Sequence, residues 1–135
     1  MENTKSLLSK YWGYQAFRPM QEEIINSILS GKDTLALMPT GGGKSLCFQI
    51  PALASEGICI VVSPLIALMK DQVENLSRRG IKAIAVCSGM SYSQIDIALD
   101  NAIYGDYKFL YVSPERLSTA IFKARVAKMN ISYLV

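Results

Sequence analysis

The chain has 135 residues, the size of one domain, and its 50% hydrophobic and 19% charged content argues against intrinsic disorder. Its net charge of +3 is too small to prove a polyanion partner and does not oppose one. The chain contains no histidine, which excludes Ser-His and Cys-His triads, His-ligated zinc and histidine general bases together.

Along the chain, Met1-Glu2-Asn3-Thr4-Lys5 lacks the charged-then-apolar build of a signal peptide. No apolar run approaches the ~20 residues of a membrane span, so a cytoplasmic protein with no membrane partner is expected. Helical spacing first appears at Met20–Leu29, where Ile24, Ile25, Ile28 and Leu29 share a face and Gly31 supplies a C-cap. Thr34–Met38 is the first of five short apolar, β-branched-rich runs. The others are Gly57–Val62, Ala83–Val86, Phe109–Val112 and Ile131–Val135. They are nearly continuously apolar, as strands covered on both faces of a parallel sheet are.

Helical segments lie between these runs. Ser45–Ala54 follows a glycine loop. Leu65–Arg79 places Leu65, Leu68, Met69, Val73 and Leu76 on one face and ends in two arginines at the negative end of the helix dipole, before Gly80. Ser91-x-x-Gln94 is a capping box that opens a helix running to about Ala102, before Gly105. Leu117–Lys128 reads as one further helix. The alternation predicts a single α/β domain over residues 1–135, three-layered, with right-handed crossovers and a mostly parallel sheet of about five strands. Cys47, Cys59 and Cys87 stand far apart among apolar neighbours with no CxxC spacing, and read as small buried hydrophobes. The closing Ile131–Val135 has the look of a strand interrupted at its carboxyl end, where open α/β sheets bind ligands.

The chemistry concentrates in three places. Met38-Pro39-Thr40-Gly41-Gly42-Gly43-Lys44-Ser45 joins a predicted strand to a predicted helix, the context of a phosphate-binding loop. Glycines let consecutive N–H groups curl around phosphate oxygens, and the helix N-terminus adds positive partial charge. Lys44 can reach the β- and γ-phosphates of a nucleotide, and Ser45 can offer its hydroxyl to Mg²⁺. Met38 stands where the generic pattern has Gly. Upstream, Tyr14 can stack on a purine beside Arg18, and the Gln21 carboxamide can both donate to and accept from an adenine edge. Downstream, Ser63-Pro64 and Ser113-Pro114 each follow a strand and open a helix. There Ser63, Lys70, Ser113 and Arg116 are candidates for holding the phosphates of a nucleic-acid strand.

Taken together, Phe17-Arg-Pro-x-Gln21, Met38-Pro-Thr-Gly-Gly-Gly-Lys-Ser45, Val62-Ser-Pro-Leu-Ile-Ala-Leu-Met-Lys-Asp-Gln72 and Val112-Ser-Pro-Glu-Arg116 resemble motifs 0, I, Ia and Ib of the RecQ family of DNA helicases. Order and spacing agree over essentially the whole chain, and Met38 is the expected residue in that family. Trp12 where Phe is common and Met20 where Gly is common are read as conservative departures.

The resemblance implies the first part of a RecA-like lobe of the P-loop NTPase class, with ATP and Mg²⁺ as cofactors. The parent is then a DNA helicase that moves 3′ to 5′ on single-stranded and junction DNA in replication, recombination or repair. It would be nucleoid-associated in a bacterium and nuclear in a eukaryote. In that family the strand matching Ile131–Val135 runs into Asp-Glu-Ala-His, which holds Mg²⁺ and orients the attacking water. A second lobe brings an arginine finger, and zinc-binding, winged-helix and HRDC regions follow. This chain carries none of these, so by itself it is expected to lack turnover and to self-associate through exposed sheet surface. The alternatives are a stand-alone nucleotide- or nucleic-acid-binding module and an RNA helicase.

Overall fold

The computed structural model describes residues 3–38 and 43–135, which form two compact units, one within Met1–Glu56 and one over Gly57–Val135.

The first unit holds three helices: α1 (Thr4–Trp12), α2 (Gln21–Leu29) and α3 (Lys44–Ala54). α1 starts where the Asn3 carboxamide oxygen accepts from the N–H groups of Lys5 and Ser6, and it stops at Gly13 in the left-handed conformation. Such a cap is worth about 1 kcal/mol. Leu7 and Leu8 of α1, Ile25 of α2 and Ile50 and Ala54 of α3 form the core of this unit, with Phe17 and Leu29 packed against it.

The run Thr34–Met38 is a correction to the expected five strands. It joins no ladder among the described residues, and Leu35 and Leu37 are 87% and 77% exposed. An apolar run becomes a strand only where a partner accepts its ladder bonds and both faces are covered. Among the described residues this unit offers helices and no strand.

The second unit contains β1 (Ile58–Val62), α4 (Ile66–Arg78), β2 (Ala83–Val86), α5 (Tyr92–Tyr104), β3 (Phe109–Val112), a 3₁₀ turn (Pro114–Ser118), α6 (Ala120–Val126) and β4 (Ile131–Leu134). The sheet order is β2-β3-β1-β4 and every pairing is parallel. Val62 and Val86 both lie opposite Val112, so the carboxyl ends of β1, β2 and β3 finish level with one another.

The crossover through α4 runs one way along the sheet and those through α5 and α6 the other, so the right-handed rule puts α4 on one face and α5 and α6 on the opposite face. Ile95 and Leu99 of α5 and Phe122 of α6 accordingly share a core with Ile60, Leu110 and Val112, while α4 packs on β2 and β3. Residues of the other sheet face, Cys59, Phe109 and Tyr111, are also fully buried. Each large side chain so buried contributes about 1.5–3 kcal/mol. β4 departs from the expected two-sided burial: it is an edge strand, and Ile131 and Leu134 are exposed. The predicted helix Leu117–Lys128 is broken at Thr119, whose extended backbone (φ −73°, ψ 145°) separates the 3₁₀ turn from α6.

Candidate functional site

In the first unit the candidate residues Gln21, Lys44 and Ser45 lie at or against the start of α3. Gly43 is the N-cap of α3, with φ +75° and no side chain of its own to cap the first turn, and Lys44 and Ser45 follow it. The first-turn amides of a helix carry positive partial charge and favour an anion. Lys44 is exposed and Ser45 half-buried. The ends of the loop meet at one thiol: Cys47 Sγ lies 3.7 Å from Met38 Sδ and 3.7 Å from the Gly43 carbonyl. Met38, where the generic loop has Gly, thus has a packing partner one turn into α3. Burial raises the Cys47 pKa, keeping it a neutral thiol. Thr40, Gly41 and Gly42, predicted to line the loop, lie outside the described residues.

Gln21 opens α2 and is only 2% exposed. Its Oε1 accepts from the Arg18 N–H at 2.8 Å, and its Nε2 donates to the Gly43 carbonyl at 3.2 Å. The sequence thereby brings Gln21 and the phosphate-loop residue Gly43 together across 22 positions. Tyr14 is half exposed, and the Arg18 side chain is exposed.

Met20 corrects the reading of that position as conservative. It is the N-cap of α2 with φ +74°, in the left-handed region that Gly occupies without strain.

In the second unit the candidate residues follow the strand ends. The Ser63 N–H donates to the Val112 carbonyl at 3.0 Å and the Ser113 N–H to the Val86 carbonyl at 3.3 Å, so both amides are used by the sheet. The Ser63 hydroxyl accepts from the Leu65 N–H at 3.2 Å, and Lys70 is exposed on α4. Ser113 is 1% exposed, so its hydroxyl is not on the surface. Arg116 is half-buried and its guanidinium donates to the Cys87 carbonyl at 3.3 Å.

Two residues missed by sequence reasoning join this edge. The Ser88 hydroxyl donates to Glu115 Oε1 at 2.6 Å. That bond, then the Glu115 backbone N–H and the nearby Ser113 hydroxyl, hold the Glu115 carboxyl below its usual range. The pairs are 27 and 29 positions apart, and no local spacing signals them. Among the described residues no cluster of three or more Cys, Asp or Glu could hold a metal, and no helix is long and apolar enough to cross a membrane.

A family model described as DEAD/DEAH box helicase matches residues 18–135. The chain belongs to the DEAD/DEAH box helicase family. Within it, the chain's likeness is to RecQ helicases, as its motifs imply. It is 45% identical over 129 residues to the ATP-dependent DNA helicase RecQ of Haemophilus influenzae, covering 96% of this chain and 21% of that protein. It is 46% identical over 123 residues to the protein of the same name in Bacillus subtilis, covering 90% of this chain and 21% of that one. The chain therefore spans about a fifth of the length of these curated relatives.

Among solved structures, a hypothetical ATP-dependent RNA helicase from Sulfolobus tokodaii superposes with a TM-score of 0.73 at 22% identity, over 97% of this chain and 40% of that one. This likeness shows the fold alone: the α/β, RecA-like helicase lobe. Family membership carries with it a nucleotide site that works with a divalent metal ion.

Proposed function

We propose that the protein carrying this chain is an ATP-dependent DNA helicase of the RecQ type, and that this chain supplies one wall of its nucleotide site and part of its DNA track. The observation that carries the reading is the start of α3: a helix N-terminus opened by Gly43 and bearing Lys44 and Ser45, with the Gln21 carboxamide fixed to the Gly43 carbonyl.

The donor set fits a nucleotide triphosphate with Mg²⁺. The first-turn amides of α3, together with Thr40, Gly41, Gly42 and Gly43, would cradle phosphate oxygens. The Lys44 ammonium would neutralise the β- and γ-phosphates, and the Ser45 hydroxyl would ligate the metal. Bound Mg²⁺ supplies neutralisation of the charge that develops on the transferred phosphoryl group. Tyr14 offers an aromatic face to a purine, with Arg18 beside it. Gln21 reads the base edge by exchanging one of its internal bonds for one to adenine.

On the sheet edge of the second unit, Ser63 and the exposed Lys70 would contact the phosphates of single-stranded DNA. Translocation from 3′ to 5′ and action at junctions in recombination and repair are parts of the same proposal and rest on the motif resemblance; the names of the relatives support ATP-dependent DNA helicase activity.

The testing experiment is the stimulation of ATP hydrolysis by nucleic acid in the protein that carries this chain. The expected result is strong stimulation by single-stranded DNA and little by RNA of matched length. Stimulation by RNA alone would replace the reading with an RNA helicase, and nucleotide binding without turnover would replace it with a binding module.

A further inference from the structure

The turn Cys87–Met90 between β2 and α5 is held from outside its own segment. Its first carbonyl, that of Cys87, accepts from the Arg116 guanidinium, and its second side chain, Ser88, donates to the Glu115 carboxylate. Both partners sit on the 3₁₀ turn Pro114–Ser118 that follows β3, the neighbour of β2 in the sheet. This short turn is itself braced, with the Arg116 N–H donating to Ser113 and the Thr119 hydroxyl to the Arg116 carbonyl. Arg116 is half-buried: one of its guanidinium N–H groups reaches the Cys87 carbonyl, and its Nε is buried without a partner among the described residues.

The clamped turn is exposed at Ser88 and Gly89. Gly89 has φ +90°, and a Cβ placed there would meet nothing within 4 Å, so a polymer backbone can approach it closely. Ser91, just beyond, is committed to its capping box with Gln94 and does not compete for Ser88.

We propose that Glu115 and Arg116 are positioning residues: they clamp the Cys87–Met90 turn to the carboxyl edge of the sheet and hold Ser88 and Gly89 toward a single-stranded nucleic-acid backbone. The role rests on the nucleic-acid reading given above and differs from it in one respect. Arg116 acts through the turn and not as a direct phosphate ligand. A carboxylate beside a polyanion is unfavourable unless it does something else, and orienting Ser88 is what the geometry gives Glu115 to do.

The test uses the protein that carries this chain and two readouts: binding of a labelled single-stranded oligonucleotide as a function of salt, and backbone amide exchange at Ser88 and Gly89. Glu115→Ala and Ser88→Ala should each weaken binding about three- to tenfold, the worth of one hydrogen bond, and the double variant should be no weaker than either single. Glu115→Gln removes the same charge but keeps an oxygen to accept from Ser88, so it should bind like wild type or better. Arg116→Gln should weaken binding with an unchanged salt slope, and exchange at Ser88 and Gly89 should quicken in Glu115→Ala but not in Glu115→Gln.

Wild-type binding in Glu115→Ala, unchanged exchange, or a slope flattened by roughly 0.7 in Arg116→Gln would each overturn the role, the last by making Arg116 a direct contact. Wild-type protein that binds no oligonucleotide overturns the nucleic-acid reading itself, and this role with it. That result is distinct from normal wild-type binding left intact in every variant.

Discussion

Gln21 donates its carboxamide N–H to the Gly43 carbonyl at 3.2 Å, tying the first residue of α2 to the residue that opens α3. A Cβ at Gly43 would lie 2.3 Å from that Nε2, and the Gly43 backbone has φ +75°. Gly43→Ala therefore meets a steric and a backbone penalty together. We expect a loss of about 1–3 kcal/mol in denaturant unfolding and a loss of nucleotide binding. Wild-type stability in that variant would mean that Gln21 moves aside at no cost.

The same contact makes Gln21 the base-reading candidate. Gln21→Ala should weaken ATP binding and reduce its advantage over GTP, measured as competing affinities in the protein that carries this chain. Tyr14→Ala should raise the ATP KM about 5- to 150-fold, as loss of one stacking partner does in nucleic-acid complexes. An unchanged ATP-to-GTP ratio in Gln21→Ala removes that residue from the site.

Met20, with φ +74°, holds a left-handed conformation that costs a side-chain-bearing residue about 1–2 kcal/mol. Gly carries no such strain but loses more chain entropy, worth about 0.5–1 kcal/mol. Met20→Gly should thus stabilise the chain by about 0.5–1 kcal/mol, seen as a higher melting temperature. A lower one would show that the exposed Met20 side chain contributes more than its backbone costs.

Cys59, the second residue of β1, has its pKa pushed up to about 12 by burial, partly offset by the charge of Lys108. Between pH 9 and 12 the unfolded chain has lost this thiol proton while the folded chain keeps it, so unfolding releases a proton. Stability is fully present below about pH 8.5 and should fall as pH rises beyond it, by up to ~1.4 kcal/mol per unit from this group. Urea midpoints of wild type and Cys59→Ala between pH 8 and 10.5 check this: the wild type should lose stability more steeply. Parallel slopes would assign the alkaline loss to other groups.

Lys70 is exposed on α4, the helix that follows β1 and Ser63. If it neutralises one DNA phosphate, Lys70→Ala should flatten the dependence of log K on log salt by roughly 0.7 without sequence preference. A wild-type slope would make Lys70 a solvated surface residue.

The parallel sheet was legible because its strands are buried on both faces. Ala83–Val86 and Phe109–Val112 form strands over the predicted residues, and β1 begins one residue late. The capping box at Ser91 was legible because both halves lie within four residues. Thr34–Met38 shows where composition stops: Leu35 and Leu37 mark a strand, but pairing is a property of neighbours that a run does not contain. Helix α1 was missed although Asn3, Leu7, Leu8, Tyr11 and Gly13 spell a cap, an apolar face and a stop. The Gly43-Lys44-Ser45 helix start was readable because it is contiguous, and Lys44 opens α3. The Glu115–Ser88 and Arg116–Cys87 bonds were not, because only the parallel register of β2 and β3 brings those residues together.

The central claim is that the start of α3 is a nucleotide phosphate site in which Lys44 carries the charge. The direct measurement is ATP hydrolysis by Lys44→Ala in the protein that carries this chain, with far-ultraviolet circular dichroism and the thermal unfolding midpoint taken on the same sample. An exposed lysine contributes at most ~1 kcal/mol to stability, so fold and melting point should stay close to wild type while hydrolysis is abolished. Hydrolysis above a tenth of the wild-type rate in a folded Lys44→Ala protein would contradict the account.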